Sequence, residues 1–252
     1  MSYHTMKKII SILLICLLLC CTLFASAAAQ GPIIRIVGVE STEAGPLRIT
    51  YVRVNPASSQ TITLLCTNTE GKILYLKEYE ETAQGLLQLD IPLKEEEKTG
   101  VVRIQMGGSG ISCPAAVDYD FAQPKPITYF GVFQTTTAGS LAQTVGQDSL
   151  VSLADAQGNA LAGEALVGTG SVITLQTQQG STYTLTSVIM GDVDKDNDIN
   201  SLDALTVLLY NVGKNPLDAV QQFAADVDGT PSIDALDALT ILQYSVGIVD
   251  AL

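Results

Sequence analysis

The sequence predicts a multidomain fold: all-β N-terminal modules, a β-sandwich and then a smaller β unit, followed by a small all-α module. Three observations carry this. Between Gly31 and Met190, short runs rich in Val, Ile, Thr and Tyr alternate with turn residues, the pattern of half-buried strands. Gln123-Pro-Lys-Pro126 divides that stretch as a linker. After Met190 the alternation stops, and a carboxylate-rich segment leading into a helix-period apolar run occurs twice.

Residues 1–29 read as a secretory signal peptide. Lys7 and Lys8 precede an apolar run from Ile9 to Phe24, and Ala25-Ser-Ala-Ala-Ala29 offers small residues for cleavage. No later apolar stretch reaches membrane-spanning length, so the expected mature chain is extracellular and carries no transmembrane anchor. Removing the leader leaves 11 basic and 26 acidic residues, 11 − 26 = −15. That balance argues against nucleic acid and anionic membrane surfaces as partners. His4, the single histidine, goes with the leader, which excludes imidazole-based catalysis and zinc sites. Of five cysteines only Cys66 and Cys113 remain, and a disulfide or two buried thiols both fit the sequence.

The first β module spans residues 31–123. Strands are expected at Pro32–Val39, Leu47–Val54, Thr61–Cys66, Ile73–Tyr79, Leu86–Ile91 and Val101–Met106, with a hairpin turn at Asn68-Thr-Glu-Gly71. Six or seven strands in about 95 residues suit a small sandwich. GlyLeuLeuGlnLeuAspIleProLeu and ThrGlyValValArgIleGlnMetGlyGly resemble the closing strands of bacterial Ig-like or fibronectin-like modules. Such a sandwich leaves little room for a cleft, so Glu78, Glu80, Glu81, Asp118 and Asp120 are not expected to form a glycosidase pair, and the chain is read as a non-enzyme. Carbohydrate binding is the rival. With no Trp, the candidate sugar platform is Tyr75 and Tyr79, whose even spacing puts them on one strand face, where core-edge packing competes as an explanation. Residues 127–190 form the smaller β unit, with strands expected at Ile127–Gln134, Ser149–Ala154, Val172–Thr177 and Thr182–Ile189, and a spacer role.

The duplicated tail is the most specific signal. Asp192-Val-Asp-Lys-Asp-Asn-Asp-Ile-Asn-Ser-Leu-Asp203 leads into AlaLeuThrValLeuLeuTyrAsnValGly213, and Asp226-Val-Asp-Gly-Thr-Pro-Ser-Ile-Asp-Ala-Leu-Asp237 into AlaLeuThrIleLeuGlnTyrSerValGly247. Aligned without gaps, 13 of 22 positions are identical, which makes coincidence an untenable explanation. Calcium takes six to eight oxygen ligands, and a twelve-residue loop supplies them from positions 1, 3, 5, 7, 9 and 12. In the first loop these are Asp192, Asp194, Asp196, Asp198, Asn200 and Asp203, and Asn197 tolerates the left-handed backbone expected at position 6. In the second they are Asp226, Asp228, Thr230, Ser232, Asp234 and Asp237. There a neutral Thr230 and a φ-locked Pro231 weaken the pattern, so the first of two calcium ions is expected to bind more tightly.

GDVDKDNDINSLDAL and DVDGTPSIDALDAL, with Asp203 and Asp237 closing the loops where ordinary EF-hands carry Glu, resemble a type I-like dockerin over residues 191–252. The resemblance implies a calcium-dependent plug for a cohesin domain on a scaffold protein of a cellulosome-like assembly, in the setting of polysaccharide degradation. It also implies a short connecting helix near 215–224, and partner contacts at Ser201, Leu202, Leu208, Leu209, Ala235, Leu236, Leu242 and Gln243. Leu208-Leu209 and Leu242-Gln243 stand where many dockerins carry a basic pair, which implies a hydrophobic recognition surface. The near-symmetry of the repeats implies that either helix can face the partner. The alternative function is a calcium-stabilised surface adhesive or carbohydrate-binding protein whose tail packs against its own β modules.

Leu202, Leu205, Leu209 and Val212, and equally Leu236, Leu239, Gln243 and Val246, recur at helical spacing, and most are expected in the core. Gly213 and Gly247 stand where helices stop. Residues 191–252 hold eleven Asp and two Lys, a net of about −9. Metal binding is therefore expected to be coupled to folding. Chelation with EGTA should abolish the helical circular dichroism of the tail, and an unchanged helical signal would refute the coupling.

Overall fold

The computed structural model describes residues 32–252 except 42–44, 56–58, 112–113, 231 and 251. The predicted leader, Cys113 and Pro231 lie outside the described residues. Seven strands build the first unit: β1 Ile33–Ser41, β2 Leu47–Val54, β3 Gln60–Asn68, β4 Ile73–Glu81, β5 Leu86–Ile91, β6 Val101–Gly107 and β7 Ala115–Asp120. They form two antiparallel sheets, ordered β1-β2-β5 and β4-β3-β6-β7, a sandwich in which β4 joins β3 rather than β5. Ile34, Ile36, Leu47, Ile49 and Tyr51 from one sheet meet Ile62, Leu64, Cys66, Val102, Ile104 and Met106 from the other. Within this core, burial pushes the Cys66 thiol up to about 11.

The second unit contains β8 Tyr129–Gly131, β9 Leu150–Ala154, β10 Val172–Gln176 and β11 Thr182–Val188 in the order β8-β11-β10-β9, with β8 parallel to β11. It also holds a helix, α1 Ala138–Val145, inside a stretch read from sequence as β only. Thr137 caps α1 by accepting from the Ser140 amide, and Ala138, Leu141 and Val145 face inward. Eight residues with a Gly at the second position make a weak helix signal. The burial of that apolar face decides the conformation.

The two β units are welded. Ile49 and Tyr51 face the sandwich core, while Val37 and Val52 face the other way and join Leu141, Ile173 and Leu185 of the second unit. Sheet β1-β2-β5 is thus buried on both faces, which explains the nearly unbroken burial of β2, Thr50 and Arg53 included. Ile127, at the end of the predicted linker, packs against both cores. Tyr183 of β11 donates its hydroxyl to Glu40 at 2.8 Å and accepts from Thr50 at 2.9 Å. The ring lies on Gly38, where the β1–β2 register shifts. A Cβ at Gly38 would meet Tyr183 Cε1 at 2.1 Å.

The tail forms α2 Ser201–Asn211, α3 Ala219–Ala225 and α4 Ala235–Ser245. Both long helices end in the same left-handed cap. Gly213 (φ 71) donates to Tyr210 O and Lys214 to Leu209 O, while Gly247 (φ 72) donates to Tyr244 O and Ile248 to Gln243 O. No helix among the described residues is long and apolar enough to cross a membrane.

One measurement tests the weld between the β units. Gly38→Ala should lower the urea midpoint by the equivalent of about 1–3 kcal/mol, the usual cost of overpacking. An unchanged midpoint would mean that Tyr183 does not depend on that close approach.

Candidate metal centre

Each acidic loop is also the amino-terminal cap of its helix. Asn200, at position 9, accepts from Leu202 N at 2.7 Å, and Asp203, at position 12, accepts from Asn200 N at 2.8 Å. The second loop repeats this: Asp234 accepts from Leu236 N at 2.8 Å and Asp237 from Asp234 N at 2.9 Å. This is a capping box, so a polar residue three before an acid fixes loop and helix together. Asp203 and Asp237 are fully buried. The other oxygen of Asp203 accepts from Val193 N at 2.7 Å and Asp194 N at 3.0 Å, and that of Asp237 from Val227 N and Asp228 N at 3.0 and 3.3 Å. The short Asp at position 12 therefore folds the head of each loop over its own helix.

The remaining acids converge. Carboxylate oxygens of Asp192, Asp194 and Asp196 lie within 4.8 Å of one another, as do those of Asp226, Asp228 and Asp237. Backbone amides shape the loops: Asn197 N donates to Asp192, Asp196 N to Asp194, Asp198 N to Asp196 and Thr230 N to Asp228. Asp198 and Ser232, at position 7, keep exposed side chains outside these triads, consistent with the carbonyl role expected there. The Thr230 hydroxyl turns to Ser232 O and the Ser232 hydroxyl to Asp234. Left-handed backbone occurs at position 6 of the first loop (Asn197, φ 74) and at position 4 of both, as Lys195 (φ 66) and Gly229 (φ 69). Sequence reasoning missed position 4, where Gly229 was the available signal. Lys195 Nζ pairs with Asp218, the cap of α3, at 2.5 Å.

Electrostatics suit both loops to holding a cation. Burial pushes Asp192 up to about 6, against hydrogen bonds from Thr169 and the Asn197 amide, and neighbouring Asp203 and Asp196 push the same way. Burial and then an acidic neighbour also raise Asp194, beside Asp203, and Asp226, beside Asp237. Asp192 Oδ2 and Asp226 Oδ1 are buried without a hydrogen-bond partner. Orphaned carboxylate oxygens, hard oxygen donors and mutual repulsion fit a hard divalent cation, as calcium is. Such an ion supplies charge neutralisation and a crosslink between loop positions. The residues themselves supply the cage.

Residues 190–244 match the dockerin type I domain. The tail is a dockerin type I domain. The dockerin follows β modules whose strands run from residue 33 to 188. Among solved structures, the chain is similar to the chitinase ChiW of Paenibacillus sp. str. FPU-7, a bacterial cell-surface-expressed multi-modular enzyme machinery. Identity is 13%, the TM-score is 0.27, and the likeness covers 45% of this chain and 10% of that one. It is also similar to the Bifidobacterium adolescentis GH3 beta-glucosidase, at 16% identity and TM-score 0.25 over 46% of this chain and 21% of that one. Neither likeness bears on chemistry. No curated protein matches the chain.

The dockerin helices correct one expectation. Its core is Val193, Ala204, Val207, Leu217, Ala225, Ala238 and Ile241, with Ile199 and Ile233 of the loops beside it. The leucine stripe expected inside is largely outside: Leu202, Leu205, Val212, Leu236, Leu239 and Val246 are between 48% and 64% exposed. Small side chains at Ala204 and Ala238 let α2 and α4 approach closely, so the long leucines cannot share that face. Of the predicted partner residues, Ser201, Leu202, Leu208, Ala235, Leu236 and Leu242 are exposed, whereas Leu209 and Gln243 are half-buried. Leu205, Val212, Leu239 and Val246 join the exposed set although sequence reasoning had assigned them inward. In the sandwich, half-buried Tyr75 and Tyr79 pack against the edge of the core, and Tyr79 donates to the Tyr51 hydroxyl at 3.2 Å, the packing that competes with a sugar platform for this pair.

The raised Asp192 gives a pH test with a definite sign. Its folded value of about 6 exceeds the ordinary 3.8, so its contribution to metal-free stability is complete below about 3.8 and is lost as pH rises through about 6. Metal-stripped protein should thus regain part of the helical circular dichroism of the tail at pH 5 relative to pH 7. Asp192→Asn should raise that metal-free helical signal at pH 7 while removing the response to calcium at the first loop. The opposite order of helical signals would refute the assignment.

Proposed function

We propose that this chain is a secreted, non-catalytic component that docks through its dockerin onto a cohesin-bearing extracellular assembly of the cellulosome kind, in the setting of polysaccharide degradation. Two calcium ions fill the loops, the first more tightly, because it has carboxylates at positions 1, 3 and 5 whereas the second has Thr230 at position 5. The observation that carries the reading is the pair of exposed leucine stripes, one on each metal-capped helix, at equivalent repeat positions. Apolar faces of this kind, unsatisfied by the rest of the chain, suit a partner protein. Aliphatic anchors at Leu208 and Leu242 favour an apolar cohesin face over an acidic one.

The alternative, a tail that packs only internally, is supported by α3: the Phe223 ring stacks on Tyr129 of the second β unit at 4.6 Å. That contact uses the third side of the dockerin and leaves the outer faces of α2 and α4 in solvent. The welded β units act in this reading as a rigid spacer.

Pull-down of cohesin-bearing surface proteins with calcium, and its loss in EGTA, tests the reading. Leu202→Asp with Leu205→Asp should leave binding through the α4 face, and so should Leu236→Asp with Leu239→Asp through the α2 face. Combining all four should weaken binding by at least about 2 kcal/mol, as loss of interface anchors does. Calcium-independent capture, or full binding by the fourfold variant, would overturn it.

A further inference from the structure

The apex of the first calcium loop does not hang free. The Asn197 carboxamide lies directly over Gly168 of the second β unit: a Cβ there would meet Asn197 Oδ1 at 1.9 Å and Cγ at 2.7 Å. Gln134, from the segment after β8, donates Nε2 to the Asn197 carbonyl at 3.1 Å. Thr169, next to Gly168, accepts from Ile189 N at 3.0 Å and reaches the Asp192 carboxylate, which is fully buried. The surface they form is itself rigid. The Gly168 carbonyl accepts from the hydroxyls of Ser171 and Ser187 and from Ser171 N. Among the described residues, the hydrogen bonds of the second loop stay inside the dockerin, within the loop and its helix or, from Asp226 N and Val227 N, to Gln222 O and Ala225 O of α3.

We propose that Gln134 and the turn at residues 168–171 are an outer shell for the first calcium loop, so that the β unit preceding the dockerin sets the affinity of that site. The proposal rests on the calcium reading above. These residues precede the segment 190–244 that matches the dockerin family, so they are a property of this chain. The physical reason is preorganisation. Asn197 sits in left-handed backbone at φ 74, and a loop pinned at its apex carbonyl and side chain loses less freedom when an ion orders it. Partners behind the ligands commonly change metal affinity by about 10–100-fold. The two loops then differ because one is braced by a neighbouring unit and the other is not, in addition to their different ligands.

Calorimetric titration of the full chain with calcium chloride tests this. Gly168→Ala adds one methyl group that displaces the Asn197 side chain, and should weaken the tighter site about tenfold with the weaker site unchanged. Gln134→Ala, at a half-buried position where folding is not at stake, should weaken the same site several-fold. Asn197→Gly, which places at position 6 the residue such loops ordinarily carry, should restore the tight site in the Gly168→Ala background. Values for Gly168→Ala and Gln134→Ala both within twofold of the parent would overturn the outer shell while leaving calcium binding intact. If Gly168→Ala damages both sites without rescue by Asn197→Gly, the Gln134→Ala value alone decides. Absence of calcium binding by the parent chain would overturn the calcium reading itself.

Discussion

Repulsion among clustered carboxylates, buried at Asp192, Asp203 and Asp237 and exposed at Asp194 and Asp196, is the constraint on which the carboxyl-terminal third of this molecule depends. Two like charges 4–5 Å apart repel by about 3–4 kcal/mol at an effective dielectric of 20, before solvent screening. A core as small as that of the dockerin supplies only about 3–5 kcal/mol. Opposed terms of equal size mean that the loops, the caps they provide and the helix pair stand or fall with a counter-charge. The sites are built accordingly, with each helix starting inside the acidic loop through Asn200 and Asp203, or Asp234 and Asp237.

The same economy shapes the outer surface of the dockerin. Ala204 with Val207, and Ala238 with Ile241, hold α2 and α4 together, so the dockerin core uses the small side of each helix. The larger leucines are left outside in two equivalent rows. A 62-residue module has too little interior to hide both rows, and the repeat places them symmetrically. The acidic loops and the two exposed leucine rows are thus two consequences of one short duplicated segment.

Upstream, the sandwich and the smaller β unit share a sheet buried on both sides, and the smaller unit touches the dockerin at α3 and at the first loop. Rigidity passes from one unit to the next through contacts that avoid the outer faces of α2 and α4. The geometry suits a component whose docking end must stay accessible while the rest of the chain holds it at a set orientation.

The strands of the sandwich were legible because one face of each is apolar at period two, and β2 and β5 occupy the spans that their alternation indicates. The metal loops were legible because oxygen ligands at fixed spacing appear twice, and the helix stops because glycine alone takes φ near 70° without strain. Helix α1 was not legible, since a short Ala, Gly and Ser segment carries no pattern until Leu141 and Val145 find the β2 sheet. Nor was the outward turn of Leu202, Leu205, Leu236 and Leu239, because periodicity reports that a stripe exists and not which stripe meets the neighbouring helix. By itself, then, the sequence determined the local chemistry: where strands run, where carboxylates gather and where helices begin and end. Tertiary structure alone decided which apolar face is buried and which distant residues, Gln134 and Gly168 among them, press on the metal loop, because those depend on contacts between segments that share no local signal.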